Sequence, residues 1–112
     1  MNYDRMKLWV EALRSGEYQQ GKTLLRVEDN FCCLGVACEV AIKNGVNINV
    51  IQTDRYFSYN DATHSLPQAA MEFFGIKDNF GSFRENALSA ENDRGTSFQE
   101  IANIIEENWE IL

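Results

Sequence analysis

Several residue types and patterns that mark common functional classes are scarce or missing in this 112-residue chain. It has one proline and one histidine, and neither a Gly-x-Gly-x-x-Gly nor a Walker sequence occurs, so no glycine loop for cradling phosphate is expected. No apolar stretch approaches the about 20 residues that a membrane-spanning helix needs. Ten Lys and Arg against seventeen Asp and Glu leave a net charge of −7, which opposes a nucleic-acid backbone. We therefore expect neither membrane insertion nor nucleic-acid binding.

The three cysteines are too few and too close together to form a disulfide framework. They lie within seven positions, at Cys32, Cys33 and Cys38, with no distant cysteine to pair with. Their spacing does not match the Cys-x2-Cys pattern of structural zinc, and one histidine adds little, so no metal and no cofactor is predicted. The first residues also lack the basic start and apolar run of a signal peptide. These features predict reduced thiols in a cytoplasmic protein.

One segment dominates what the sequence does contain. In Phe31–Ile42, eleven of twelve residues are apolar or glycine, and only Glu39 is charged. A helix that is apolar on most of its faces is buried on most of its faces. We predict a buried central helix over about residues 33–43, ending at Asn44-Gly45.

Other elements are predicted around this helix. A first helix over about Tyr3–Ser15 carries an apolar face at Met6, Trp9, Val10 and Leu13. Strand chemistry appears at 23–27, 46–51 and 55–59, the last two as a hairpin. A helix containing Pro67, capped by Ser65, ends at Gly75, and a final helix starts with the Ser97–Glu100 capping box. Residues 1–112 thus form one α+β domain, with about four helices packed on a small antiparallel sheet.

Two stretches between these elements are predicted as irregular. Residues 77–86 are assigned to a loop in which Phe80 and Phe83 pack back on the core. The segment Asn92-Asp93-Arg94-Gly95 is interpreted as a turn that positions the final helix.

One enzymatic hypothesis rests on the start of the central helix. If that helix begins at Cys33, the positive helix end lowers the pKa of its thiol. His64, the only histidine, would then be the general base, oriented by Asn60 or Asp61. This arrangement would make the protein a cysteine-dependent hydrolase or transferase, but the local signatures of papain-like enzymes are absent. The alternative is that the cysteines are core residues and that His64 is an exposed loop residue.

A second cluster of polar residues favours binding rather than catalysis. Basic groups, amides and an aromatic ring surround a glycine-flanked loop in an otherwise acidic protein: Arg14, Tyr18, Gln20, Lys22 and Arg26. Arginine forks supply directional hydrogen bonds to anions, so this set is predicted to bind a small anionic ligand or an acidic partner surface. The competing interpretation is an ordinary solvated loop.

Three segments of the chain resemble a known group of proteins. They are Leu13-Arg14-Ser15-Gly16-Glu17-Tyr18-Gln19-Gln20-Gly21, Phe31-Cys32-Cys33-Leu34-Gly35-Val36-Ala37-Cys38, and Leu88 to Ala102 with its Asn92-Asp93-Arg94-Gly95-Thr96-Ser97-Phe98 core. The pattern is similar to small hypothetical proteins of tailed bacteriophages. This resemblance covers nearly the whole chain and implies a phage origin and a setting in the host cytoplasm. It implies no activity and no functional residue.

Together these observations lead to two functional expectations. The first is a non-catalytic accessory protein, acting as a monomer or a homo-oligomer, that inhibits a host protein or sequesters a small anionic or nucleotide signal, as in counter-defence. The second is the cysteine enzyme with Cys33 and His64. A structural role in the virion ranks last, because the chain lacks extended arms and coiled-coil stretches.

Overall fold

A computed structural model describes residues 1–112. In it the apolar faces of two helices pack against each other and form the centre of the fold. The first helix, α1 (Tyr3–Arg14), buries the predicted face of Met6, Trp9, Val10 and Leu13. Asn2 caps its start by accepting the backbone N–H of Arg5. The second helix, α2 (Cys33–Lys43), is the predicted central helix, and eight of its residues are buried.

A buried hydrogen bond joins α1 to α2. The indole Nε1 of Trp9 donates to the carbonyl oxygen of Cys33 at 3.0 Å, and the same ring packs on Phe74 with centroids 5.3 Å apart. A buried indole N–H without an acceptor would be costly. Trp9 therefore anchors α1 in the core and also fixes where α2 starts relative to it.

A glycine terminates α2, as the sequence predicts. Gly45 has φ +91°, its N–H donates to Ile42, and the N–H of Val46 donates to Ala41. These are the two bonds of a Schellman cap, which needs a left-handed residue at the position of Gly45. The cap also occupies the residues where the sequence predicts a strand from Val46, so this strand starts later, at Val50.

The main sheet has five strands in the order β1-β3-β2-β5-β4. Their bounds are β1 (Gln19–Gln20), β2 (Arg26–Val27), β3 (Asn30–Phe31), β4 (Val50–Thr53) and β5 (Tyr56–Tyr59). Most pairs are antiparallel, including the predicted hairpin of β4 and β5, but β1 runs parallel to β3. The expectation of a purely antiparallel sheet is thus corrected to a mixed one. The parallel pair arises because the chain passes through β2 before it returns as β3.

The second half of the chain contains more structure than its sequence predicts. Helix α3 (Gln68–Phe74) ends at Gly75 in the left-handed conformation as expected, but Pro67, not Ser65, occupies its cap position. Residues predicted as loop and turn form a small hairpin, β6 (Ser82–Phe83) with β7 (Asn86–Ala87), and a fifth helix, α4 (Leu88–Asp93). Phe83 packs against the core, whereas Phe80 is 45% exposed, so its predicted burial is wrong.

The last helix completes the layer that covers α1. Helix α5 (Phe98–Asn108) buries Phe98, Ile101, Ala102 and Ile105, and Ser97 Oγ accepts the N–H of Glu100 as predicted. The protein is an α+β fold with five helices, of which α2 is the most buried. No helix in it is both long enough and apolar enough to cross a bilayer.

Candidate functional site

A groove of about 250 Å³ lies on the surface between α1 and the end of α2. Its lining mixes apolar, acidic, basic and hydroxyl-bearing residues: Leu8, Glu11, Ala12, Ser15, Glu17, Tyr18, Val40, Lys43 and Asn44. Leu8 is 37% exposed there, although it sits in a helix whose other large apolar residues are mostly buried. This groove is the candidate functional site.

The turn after α1 places two of these side chains against α2. Gly16 has φ +78°, which a glycine adopts without steric cost, and so the chain reverses directly after Ser15. The hydroxyl of Ser15 donates to the carbonyl of Ala12 and accepts the N–H of Glu17 at 3.0 Å. Glu17 and Tyr18 are thereby turned back toward the last residues of α2.

Tyr18 is the least satisfied residue of the groove. Its hydroxyl oxygen is buried, and no hydrogen-bond partner for it is found in the protein. Its ring packs edge-on against Phe31 at 5.2 Å between centroids, and Lys43 Nζ lies 5.3 Å from the ring centroid. Burial raises the pKa of Tyr18, and the nearby Lys43 partly opposes that rise. A neutral phenol therefore borders the groove, and its hydroxyl has no hydrogen bond of ordinary length although Lys43 and Glu17 lie close enough to influence it.

The charged groups of the groove are unevenly paired. Lys43 and Glu17 form an ion pair, whose hydrogen bond raises the pKa of Lys43 and lowers that of Glu17. Both side chains are more than half exposed, so solvent screening leaves the pair little influence on stability. Glu11 is exposed and has no ion pair. The groove therefore carries one carboxylate more than its cations neutralise.

The five residues predicted as a binding cluster are not brought together as one site. Arg14 points away from the groove and binds Glu106 and Asn103 on α5, each at 2.6 Å. The Glu106 hydrogen bond raises the pKa of Arg14, and the reverse effect lowers that of Glu106. Arg14 thus connects α1 to α5.

The side chain of Gln20 is also hydrogen bonded within the protein, to a different set of partners. Its amide nitrogen donates to Asn92 and to the carbonyl of Thr96, and its oxygen accepts the N–H of Phe98 at 3.2 Å. These bonds hold the end of α4 and the start of α5 against β1. The side chain of Gln20 therefore stabilises the fold and has no hydrogen-bonding group left for a ligand.

Arg26 and Lys22 differ in whether their side chains are free to bind a ligand. The Arg26 guanidinium lies 3.9 Å from the ring centroid of Phe57 and 4.9 Å from that of Phe31, while also bonding Glu28 and Asp29. The backbone carbonyl of Lys22 accepts the N–H of Leu24, but its side chain forms neither a hydrogen bond nor an ion pair. Of the five predicted residues, only Tyr18 lines the groove.

The residues of the cysteine-enzyme hypothesis have separate surroundings. Cys33 is fully buried, and its Sγ lies 3.6 Å from the carbonyl oxygen of Leu88. His64 is exposed and its Nδ1 contacts the neighbouring Thr63 hydroxyl at 2.8 Å. Asp61 is exposed with φ +68°, and neither it nor Asn60 hydrogen bonds with His64.

The helix start does not activate the thiol of Cys33. Burial raises its pKa well above the usual value, and this effect outweighs the hydrogen bonds at the helix end that lower it. A thiol in this state supplies almost no thiolate at neutral pH. The structure therefore disfavours Cys33 as a nucleophile.

An asparagine that the sequence suggests only as part of a turn is the main polar residue of the core. Asn92 is completely buried, and its Oδ1 accepts the N–H of Cys33 at 3.1 Å and the amide of Gln20 at 3.0 Å. Its Nδ2 donates to the carbonyl of Gly21 at 2.8 Å. Cys32, at the cap position of α2, makes no side-chain bond, so Asn92 takes over the capping of α2 from another element.

The groove-lining residues that the sequence does not predict come from α1, from the turn that follows it, and from the C-terminal part of α2 with its cap. They are Leu8, Glu11, Ala12, Ser15, Glu17, Val40, Lys43 and Asn44. One sequence signal was available for this set, because Leu8 falls outside the i, i+3, i+4, i+7 face of α1. An apolar residue on the outer face of a helix is compatible with a contact site.

Comparison with known proteins places the chain in a family and supplies no function. No curated protein and no solved structure matches it. A protein-family model described as "Domain of unknown function (DUF8296)" matches residues 1–109. Since this match spans nearly the whole chain, the protein belongs to the DUF8296 family.

Proposed function

We propose that this protein is a non-catalytic binding module that takes up a segment of a partner protein in the groove between α1 and α2. The observation that carries the proposal is the buried hydroxyl of Tyr18, which lines the groove and has no partner. An unsatisfied buried hydroxyl costs about 1–3 kcal/mol, part of which a polar group bound in the groove recovers. Leu8, Ala12 and Val40 provide the apolar contact area beside it.

The charges of the groove favour a partner segment with a lysine or arginine. Glu11 has no ion pair, Glu17 shares one with Lys43, and the whole chain carries a net charge of −7. A negative surface attracts basic partners over distances of about 8–10 Å and accelerates their association. The basic side chain would contact Glu11, and the Tyr18 hydroxyl would gain a polar partner once the side chains that cover it move aside.

A small anionic ligand has less support than a protein partner. Both arginines of the predicted cluster are already neutralised, Arg14 by Glu106 and Arg26 by Asp29. Lys22 is the remaining basic group of that set, and a single exposed lysine is a weak basis for a selective anion site.

The biological setting is proposed from the sequence resemblance. Similarity to small proteins of tailed bacteriophages suggests that the protein acts in the cytoplasm of an infected bacterial host. Binding to a host protein in that setting would inhibit or redirect it, as a counter-defence factor does.

Two matched variants, each replacing an alanine by arginine, test the groove. Ala12→Arg fills the groove with a long cationic side chain, whereas Ala90→Arg makes the same change on the exposed surface of α4. We expect the wild-type protein and Ala90→Arg to capture the same protein from a bacterial lysate, and Ala12→Arg to lose it. Titration calorimetry with the purified partner should then show at least a tenfold loss of affinity for Ala12→Arg alone, and weaker wild-type binding as salt is raised.

Tyr18→Phe provides a finer test of the same site. It removes the unpaired hydroxyl and retains the ring that packs on Phe31. Partner affinity should fall while the free protein keeps or gains stability. Equal capture by Ala12→Arg and Ala90→Arg would show that the groove is not the binding site.

A further inference from the structure

Strand β4 is an edge strand without the usual protection against pairing. It ends the five-stranded sheet, and all four of its residues, Val50–Thr53, are exposed. Natural edge strands are usually blunted by lysine, proline or a bulge, because their free N–H and C=O groups form new ladders readily. β4 contains no proline, no charge and no bulge in its pairing with β5. The edge at β1, by contrast, is only two residues long.

The pairing with β5 shows which backbone groups of β4 point outward. Asn60 N–H donates to the carbonyl of Asn49, so these two residues form a hydrogen-bonded pair in the antiparallel ladder. Hydrogen-bonded and non-hydrogen-bonded pairs alternate along such a ladder. The N–H and C=O groups of Val50 and Gln52 therefore point away from β5, toward the open side of the sheet.

The side chains on the outer face of this hairpin are uncharged, and the two largest of them present apolar surface. Ile51 is 45% exposed and Tyr56 is 40% exposed, and both lie on the face opposite to the buried Tyr59. The whole stretch from Asn44 to Thr53 contains no charged residue. In a chain with a net charge of −7, this is a surface where a second copy can approach without direct charge repulsion.

We infer that β4 pairs with β4 of a second copy, antiparallel and about a two-fold axis at Ile51. In this register Val50 of one copy faces Gln52 of the other, and the outward groups of both strands form four intermolecular hydrogen bonds. The two Ile51 side chains meet on the outer face next to Tyr56. Asp54 of each copy lies opposite Ile48 of the other, so the two Asp54 carboxylates stay at opposite ends.

The size of the contact sets the strength of the dimer. Two four-residue strands with one apolar cluster make a small interface, of the kind found in weak and reversible association. The dimer does not involve the α1–α2 groove, so it is independent of the proposed partner binding. Both copies would keep their grooves open.

Sedimentation velocity over a concentration series tests this pairing. We expect the wild-type protein to shift from monomer to dimer between about 10 µM and 1 mM, the range expected of a small interface. Ile51→Lys brings two like charges together at the axis and should abolish the shift. Ile111→Lys is the matched control, since Ile111 is similarly exposed at 41%, and it should dimerise like wild type.

Cysteine cross-linking tests the register directly. The native cysteines are buried, so an introduced surface thiol reacts selectively. Ile51→Cys should form a disulfide-linked dimer under mild oxidation, because directly opposed Cβ atoms are about 4.5–5.5 Å apart. Thr53→Cys lies on the same face, yet its two copies are separated by four residue steps, about 13 Å, and should not cross-link.

Each of several results would overturn the inference. A wild-type protein that stays monomeric up to 1 mM would exclude a second copy and leave the edge to another partner. A dimer that survives Ile51→Lys would place the interface elsewhere. Equal cross-linking of Ile51→Cys and Thr53→Cys would refute the proposed register.

Discussion

Gly35 of helix α2 faces the backbone carbonyl of Leu25 so closely that a Cβ on Gly35 would lie 1.9 Å from that oxygen. The same Cβ would lie 2.8 Å from the carbonyl carbon. No side chain is involved on the Leu25 side, so the contact cannot be relieved by a rotamer change. Since Leu25 N–H bonds Thr63 and its carbonyl accepts from Cys32, the loop that carries it is also held in place. A glycine is therefore required for α2 to pack against this loop.

Gly35→Ala should destabilise the fold strongly. A methyl group within 2 Å of a carbonyl oxygen forces α2 or the Leu25 loop to move, which we expect to lower the free energy of unfolding by about 3 kcal/mol. Urea unfolding measures this change. Gly16→Ala is the control. No atom lies within 4 Å of its added Cβ, so only the strain of the positive φ should lower the free energy of unfolding, by about 1 kcal/mol. A Gly35→Ala loss no larger than that of Gly16→Ala would contradict the close contact.

Asn92→Ala should remove the capping of α2 along with two other hydrogen bonds. The N–H of Cys33, the amide of Gln20 and the carbonyl of Gly21 would lose a partner inside the core. We expect a loss of about 3 kcal/mol in the free energy of unfolding, measured by urea titration. Asn47→Ala, on an exposed asparagine, should stay within about 0.5 kcal/mol of wild type.

Asn92→Asp separates the two roles of this side chain. It keeps the oxygen that accepts from Cys33 but places a second oxygen against the Gly21 carbonyl, where Nδ2 donates in the wild type. This variant should also be destabilised at neutral pH, because a buried carboxylate would face an acceptor. A variant as stable as wild type would show that the Gly21 bond contributes nothing.

The native cysteines should react slowly with iodoacetamide. All three thiols are buried, and burial raises the pKa of Cys32 to about 11 and also raises those of Cys33 and Cys38 well above their usual value. At pH 8, mass spectrometry should detect labelling of the native protein over hours, and of the urea-unfolded protein within minutes. Fast and selective labelling of Cys33 would contradict its burial and revive the cysteine-enzyme hypothesis.

Stability should fall as the pH rises above about 9, the usual cysteine pKa. The folded thiols hold their protons to higher pH than the unfolded thiols, so the unfolded state loses protons first and gains population. The stabilisation is complete below about pH 8 and decreases by up to about 1.4 kcal/mol per pH unit for each ionising thiol. Urea unfolding between pH 8 and 9.5 measures the slope before the tyrosines titrate.

Cys38→Ala provides the control for the alkaline effect. Its absolute stability is lower because a buried sulfur is lost, but its decrease between pH 8 and 9.5 should be shallower than that of wild type. An identical slope in the two proteins would assign the pH dependence to other groups.

The helices with a regular apolar period were the predictable part of this fold. Met6, Trp9, Val10 and Leu13 on α1 lie on one side of a helix by spacing alone, and the structure buries all four. The sequence does not predict helix α4, because its six residues include Ser89 and Asn92, which favour turns and caps over helix interiors. It is stabilised instead by tertiary contacts of Leu88 and Asn92 in the core.

The candidate site was predictable only at Tyr18. The basic cluster of Arg14 to Arg26 is a real feature of the sequence, yet both of its arginines form ion pairs within the protein. Arg14 binds Glu106, which is 92 positions away in the chain. No local pattern indicates that such a carboxylate will be adjacent, so pairing of this kind cannot be recognised from the sequence.

The sequence by itself determined the burial of α2, the helices with an apolar stripe, and the glycine that ends α2, because each depends on neighbouring residues. Only the tertiary structure decided which polar groups stay free. The side chain of Asn92 is hydrogen bonded to partners from two separate segments, Gln20-Gly21 and the start of α2, whereas the Tyr18 hydroxyl and the outward edge of β4 have no partner. Whether a polar group is satisfied depends on what distant segments bring to it, and this is settled only when the whole chain has packed.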